Sequence, residues 1–147
     1  MTSSTLCGTA DVLLVEDDPG DVLLTRDTFG DCHLDLKLHV VGDGEEAMRF
    51  LRRTDEFAGV PRPALVLLDL NLPRRGGLEV LAELKNDPDL NTIPVVVLTT
   101  SQAEDDILRS YQLHANAYVI KPIDAAKFAE AIKQIDDFFL ILIKRPQ

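Results

Sequence analysis

Cysteine is nearly absent from the chain: Cys7, in a polar leader, and Cys32, at an expected loop, are its only two. They build neither a disulfide framework nor a metal-binding cluster, and such usage suits a reducing compartment. Positive charge is scarce too, with 15 Lys and Arg against 25 Asp and Glu and a net charge of -10 at pH 7. Affinity for a polyanion rests on Lys and Arg neutralising phosphates, so nucleic-acid binding is disfavoured. The longest apolar run, Phe138 to Ile143, holds six residues, whereas crossing a bilayer takes about 20. Residues 1–10 have neither a basic start nor a long apolar stretch and read as a flexible leader, not a secretory signal. A cytoplasmic location is expected. A Walker lysine loop and a dinucleotide glycine motif are also missing.

What remains is ordinary for a globular protein: 46% hydrophobic and 27% charged residues, which sets the chain apart from disordered or fibrous classes. Its 147 residues fit one domain that buries roughly two thirds of its unfolded surface. That domain is expected over residues 11–147, with no effector domain. Short apolar runs predict strands over Val12–Val15, Leu36–Val41, Ala64–Leu68, Val95–Leu98 and Tyr118–Ile120. Helical patterns fall between and after them, over Asp21–Phe29, Glu45–Arg53, Leu78–Asn86, Glu104–Leu113 and Ala125 to about Ile143. Strands apolar on both sides are buried on both faces, so helices should cover a parallel sheet on each side. The expected fold class is α/β, a doubly wound five-stranded sheet.

In such sheets ligands bind beyond the carboxyl ends of the strands. There the chain concentrates polar chemistry: Glu16, Asp17 and Asp18 after the first strand, Asp69 after the third, Thr99 after the fourth, Lys121 after the fifth. Any one strand-end Asp serves as readily in a turn or cap, Lys121 as a surface ion pair, and Thr99 as a hydroxyl bonded to a nearby loop. Together, however, these groups would each weaken burial at the end of an apolar strand without a shared purpose. Clustered carboxylates repel unless protons or a divalent cation compensate them. Carboxylates, a backbone carbonyl such as that of Asn71, and water suit Mg²⁺. Attack by an Asp carboxylate on phosphorus is nucleophilic catalysis, and a cation with Lys121 would offset charge on the transferring phosphoryl group.

Four ordered motifs carry a family pattern: Leu13-Leu14-Val15-Glu16-Asp17-Asp18, Leu67-Leu68-Asp69-Leu70-Asn71-Leu72-Pro73, Val97-Leu98-Thr99-Thr100-Ser101 and Tyr118-Val119-Ile120-Lys121-Pro122. Over about residues 11–140 the chain resembles the receiver domain of bacterial response regulators. The resemblance implies a flavodoxin-like fold with strand order 2-1-3-4-5 and a phosphoacceptor at Asp69. It implies metal ligation by Glu16, Asp17, Asp69 and the Asn71 carbonyl, with Mg²⁺ or alternatively Mn²⁺. It further implies a phosphate-contacting Lys121, a switch pair in Thr99 and Tyr118, and a cis peptide between Lys121 and Pro122. Such a protein accepts a phosphoryl group from a histidine kinase and is a signalling protein, not an enzyme with a separate substrate. Asp18 departs from many receivers, which carry a neutral or basic residue after the acidic pair, and brings extra charge near the metal ligands. Thr100 stands where a small residue is common and would narrow access to the site.

The connection Thr54 to Pro63 and the segments Arg62 to Asp69 and Ile93 to Ser101 resemble, more narrowly, small response regulators paired with bacterial phytochromes. That implies a light-regulated kinase as partner. Phosphorylation would draw Thr99 inward, let Tyr118 follow, and change the surface of the fourth helix, fifth strand and fifth helix. The apolar run Phe138 to Ile143 surrounds its helix more fully than a one-sided face needs. Either a homodimer through that surface or packing within the domain would cover it. Two other functions fit less well. A hydrolase with an Asp nucleophile resembles Asp-x-Asp, but Asn71 stands where its general acid would be. A flavin module needs a phosphate loop after the first strand, where this chain is acidic.

Overall fold

The computed structural model describes residues 10–31, 36–72, 76–100 and 114–132. Five strands, β1 (Ala10–Val15), β2 (Leu36–Val41), β3 (Leu65–Asp69), β4 (Val95–Thr99) and β5 (Ala117–Ile120), form one parallel sheet in the order β2-β1-β3-β4-β5. The described helices are α1 (Pro19–Asp31), α2 (Gly44–Arg52), α3 (Gly77–Asn86) and α4 (Ala125–Ile132). The expected doubly wound sheet and its strand order are thus observed. The leader, Cys7, Cys32, Pro73, Ser101, the helix expected over 104–113 and the apolar run 138–143 lie outside the described residues.

Every residue of β3 and β4 is buried, and alternation along the strands sends their side chains into two separate cores. Leu13, Val15, Val66, Leu68, Val95 and Val97 pack with Ala47 and Phe50 of α2 and Val80, Leu81 and Leu84 of α3. Val12, Leu14, Leu65, Leu67, Val96, Leu98 and Val119 pack on the opposite face with Phe29 of α1 and Phe128 of α4, whose rings lie 5.0 Å apart.

Helix ends explain where the structure departs from the sequence boundaries. α1 begins at Pro19, two residues before the expected start at Asp21. The Asp18 carboxylate accepts the Gly20 N–H at 2.8 Å and its carbonyl accepts the Val22 N–H at 3.0 Å, so Asp18 caps the helix and Pro19 takes the first position, where proline is well tolerated. The charge that set this chain apart from many receivers therefore has a structural role. α2 opens on Asp43, which accepts the Glu46 N–H while Glu46 reaches back to the Gly42 N–H. It stops at Arg53, whose left-handed φ of 55° ends the helix one residue before the expected boundary. The long connection to β3 is tied down by a 3-10 turn, Asp55–Phe57, whose Phe57 ring stands 5.4 Å from Phe50.

Candidate functional site

Parallel register aligns the strand ends. Val15 pairs with Leu68, Asp69 with Leu98 and Thr99 with Ile120. Each ladder continues one bond past its strand: Glu16 N–H to Val41, Leu70 N–H to Leu98 and Lys121 N–H to Thr99, at 3.0, 3.0 and 2.8 Å. Glu16 and Asp69 therefore emerge at one level of the sheet, and Lys121, two residues beyond the Val119 that lies level with them, reaches back with its long side chain. The strand alternation places all three on the side of α1 and α4, following Val12 and Leu14, Leu65 and Leu67, Ala117 and Val119. Thr99 follows Val95 and Val97 to the other side, where Tyr118 packs against the first core. Thr99 is buried, and the two members of the expected switch pair thus share a sheet face.

At the centre stands the Lys121 ammonium. It donates to Glu16 Oε1 at 2.7 Å, Asp21 Oδ2 at 2.9 Å and Asp69 Oδ2 at 3.2 Å. Glu16 and Asp69 are each 2% exposed, so this is a buried ion cluster whose members depend on one another. Burial pushes the Glu16 carboxyl up; the bond to Lys121 lowers it and neighbouring Asp69 raises it, leaving it at about 7. Burial alone would depress Lys121, but its bonds to Glu16 and Asp21 and the Asp69 charge hold it above the usual lysine range. The peptide bond between Lys121 and Pro122 is cis.

Asp69 is held from several directions. Its Oδ1 accepts the Asn71 N–H at 3.0 Å, closing a turn directly after the strand. Gly77 begins α3 against the backbone of Asp69 and Leu70, and its N–H reaches the Leu70 carbonyl at 3.2 Å. Asn71 is exposed at the rim, with its amide 3.5 Å from the Thr100 hydroxyl, and Thr100 is likewise exposed.

Glu16, Asp17 and Asp69 each present one carboxylate oxygen to a common point, all within 4.8 Å of one another. Two of them are buried and Asp17 is open to solvent. This donor set fits a hard cation: it consists of oxygens only, and burial first, with the neighbouring Asp69 adding to it, disfavours the ionised Glu16 that a cation would stabilise. The structure therefore brings together Glu16, Asp17, Asp69 and Lys121, with Asn71 beside them and Thr99 and Tyr118 on the other face.

One site residue escaped the sequence reading. Asp21 looked like the start of a helix, whereas it lies inside the first turn of α1 and is bonded to Lys121. The available signal was Asp18-Pro19, a cap followed by a first-position proline. That pair starts the helix earlier and turns Asp21 towards the strand ends.

The model of the response regulator receiver domain matches residues 12–133. Response regulator Rcp1 of Synechocystis sp. is 44% identical over 135 residues, 92% of each chain. Among solved structures, the Mn²⁺-bound form of Rcp1 is 43% identical with a TM-score of 0.76, covering 94% of this chain and 99% of that one. The phosphorylated cyanobacterial phytochrome response regulator RcpA is 44% identical with a TM-score of 0.77, covering 90% of this chain and 95% of that one. Among the described residues, no helix is long and apolar enough to cross a membrane.

Proposed function

Because the chain belongs to the response regulator receiver family, we propose that it takes a phosphoryl group on Asp69 from the phosphohistidine of a sensor kinase. The observation that carries this reading is the Lys121 ammonium bonded to Asp69 among carboxylates suited to a cation. An Asp69 oxygen forms the new O–P bond as the donor's P–N bond breaks, and the departing imidazole recovers a proton from solvent. Lys121 sits where negative charge gathers on the equatorial oxygens during transfer. The Asn71 N–H holds the second Asp69 oxygen and so fixes the carboxylate plane. Glu16, Asp17, Asp69 and the Asn71 carbonyl would hold Mg²⁺, or Mn²⁺ in its place, and a bound cation supplies further charge neutralisation at the phosphoryl oxygens. On this reading the protein acts as a phosphoacceptor signalling protein, whose chemistry is phosphoryl transfer onto its own Asp69.

Phosphoryl oxygens then attract the Thr99 hydroxyl, and Tyr118, on the same sheet face, follows into the space it leaves. The signal would leave through a surface that includes β5 and α4, the face on which we place a homodimer contact. The likeness to RcpA, a phytochrome response regulator, supports a phytochrome kinase as the donor. The chain works as a receiver domain, and the cytoplasm is its proposed location.

Incubation with Mg²⁺ and acetyl phosphate, followed by intact-mass measurement, tests the chemistry. The wild type should gain one phosphoryl group and Asp69→Asn none. A wild type that stays unmodified with both the small donor and a panel of histidine kinases would refute it.

A further inference from the structure

Lys121 has more carboxylate partners than the chemistry above uses. Its ammonium has three donors, and they meet Glu16, Asp21 and Asp69. Glu16 and Asp69 belong to the carboxylate trio suited to a cation; Asp21 does not. Resting on the receiver reading, we infer that Asp21 is a positioning residue that anchors Lys121 while Asp69 and Glu16 are engaged in phosphoryl transfer.

The anchor is rigid where it needs to be. Asp21 rides on the first turn of α1, which Asp18 caps, and the Thr25 hydroxyl bonds the Asp21 carbonyl at 2.9 Å. Its side chain is 28% exposed against 10% for Lys121, so it approaches the ammonium from the solvent side. Next to the ammonium lies a small cleft lined by Leu24, Thr25, Leu98 and Ile123. Without Asp21, the flexible lysine stem gains room to leave the transferring phosphoryl group.

Two measurements test this. With nitrogen-labelled lysine, NMR reads whether the Lys121 ammonium is held: its proton signal should be sharp in the wild type and broadened in Asp21→Ala, without donor or metal. Phosphoryl uptake from acetyl phosphate with Mg²⁺ should slow roughly three- to tenfold in Asp21→Ala, the range of one partly exposed charge-assisted bond. Asp21→Asn keeps an acceptor oxygen and should fall between. In a Lys121→Met background, adding Asp21→Ala should change the rate no further. An equally sharp ammonium signal in Asp21→Ala, a wild-type rate, or the same slowing in the Lys121→Met background would overturn the inference while leaving Asp69 phosphorylation intact. A wild type that takes up no phosphoryl group from any donor would overturn both.

Discussion

Replacing Gly77 by Ala should damage both the fold and the site, whereas the same change at the adjacent Gly76 should do neither. A Cβ at Gly77 would lie well inside the van der Waals contact distance of the Asp69 carbonyl oxygen and 2.6 Å from the Leu70 Cα. Both obstacles are backbone, so no side-chain rotation relieves the overlap. Overpacking of this kind costs about 1–3 kcal/mol. Alanine's better helix propensity returns about 1 kcal/mol at most, and less at a helix's first residue. A net loss of about 2 kcal/mol corresponds to a melting temperature about 4–8 °C lower for a chain of this size. At Gly76 nothing lies within 4 Å of an added Cβ, and φ is -66°, open to any residue. There the reduced freedom of the unfolded chain and the poorer N-cap roughly cancel, leaving stability within about 0.5 kcal/mol of wild type. Urea unfolding followed by far-ultraviolet circular dichroism measures both. Because relief at Gly77 requires the Asp69 backbone to move, phosphoryl uptake should fall in that variant as well. Equal stability and equal uptake in the two alanine variants would refute the reasoning.

The raised Glu16 makes metal-free stability depend on pH. Its folded value of about 7 stands above the 4.5 usual for a free glutamate, so its contribution is full below 4.5 and is lost as pH rises through 7. The offset corresponds to about 3 kcal/mol. Stability relative to Glu16→Gln should therefore decline from pH 5 to 8, and Mg²⁺ should raise the melting temperature more at pH 8 than at pH 6; thermal melts across this range check both. Lys121→Met leaves two buried carboxylates without their shared cation and should cost about 3 kcal/mol at pH 8 without metal. Denaturation with and without Mg²⁺ should show the metal recovering much of that loss, while intact-mass kinetics show slower phosphoryl uptake. Asp18→Ala removes the α1 cap and should cost about 1 kcal/mol by urea unfolding, with phosphoryl uptake from acetyl phosphate slowed no further than in Asp21→Ala, since the cap acts on uptake only by steadying the turn that carries Asp21.

Much of this molecule is legible in its sequence because its strands are buried on both faces. A run such as Leu65 to Leu68 has no exposed side to fill with polar residues, so an Asp that ends it stands out, and so do Glu16, Thr99 and Lys121 on the neighbouring strands. Other features depend on alignments that no local pattern carries. Asp21 meets Lys121 across a separation of 100 residues, and only the closed sheet brings α1 against the end of β5. Gly77 reads as an ordinary turn glycine until α3 is seen pressed on the Asp69 backbone. The strand ends divide by face for the same reason. Alternation alone sends Asp69 and Thr99 to opposite sides once Asp69 is paired with Leu98, and a register slip of one residue would reverse that outcome. The register thus separates two groups of residues that sit close together: the charged cluster on the face of α1, and Thr99 with Tyr118, the proposed switch pair, on the other. In the proposed mechanism a phosphoryl group on Asp69 reaches the second face by drawing a side chain around the end of β4, and Thr99, the strand's last residue, stands at the place that step requires.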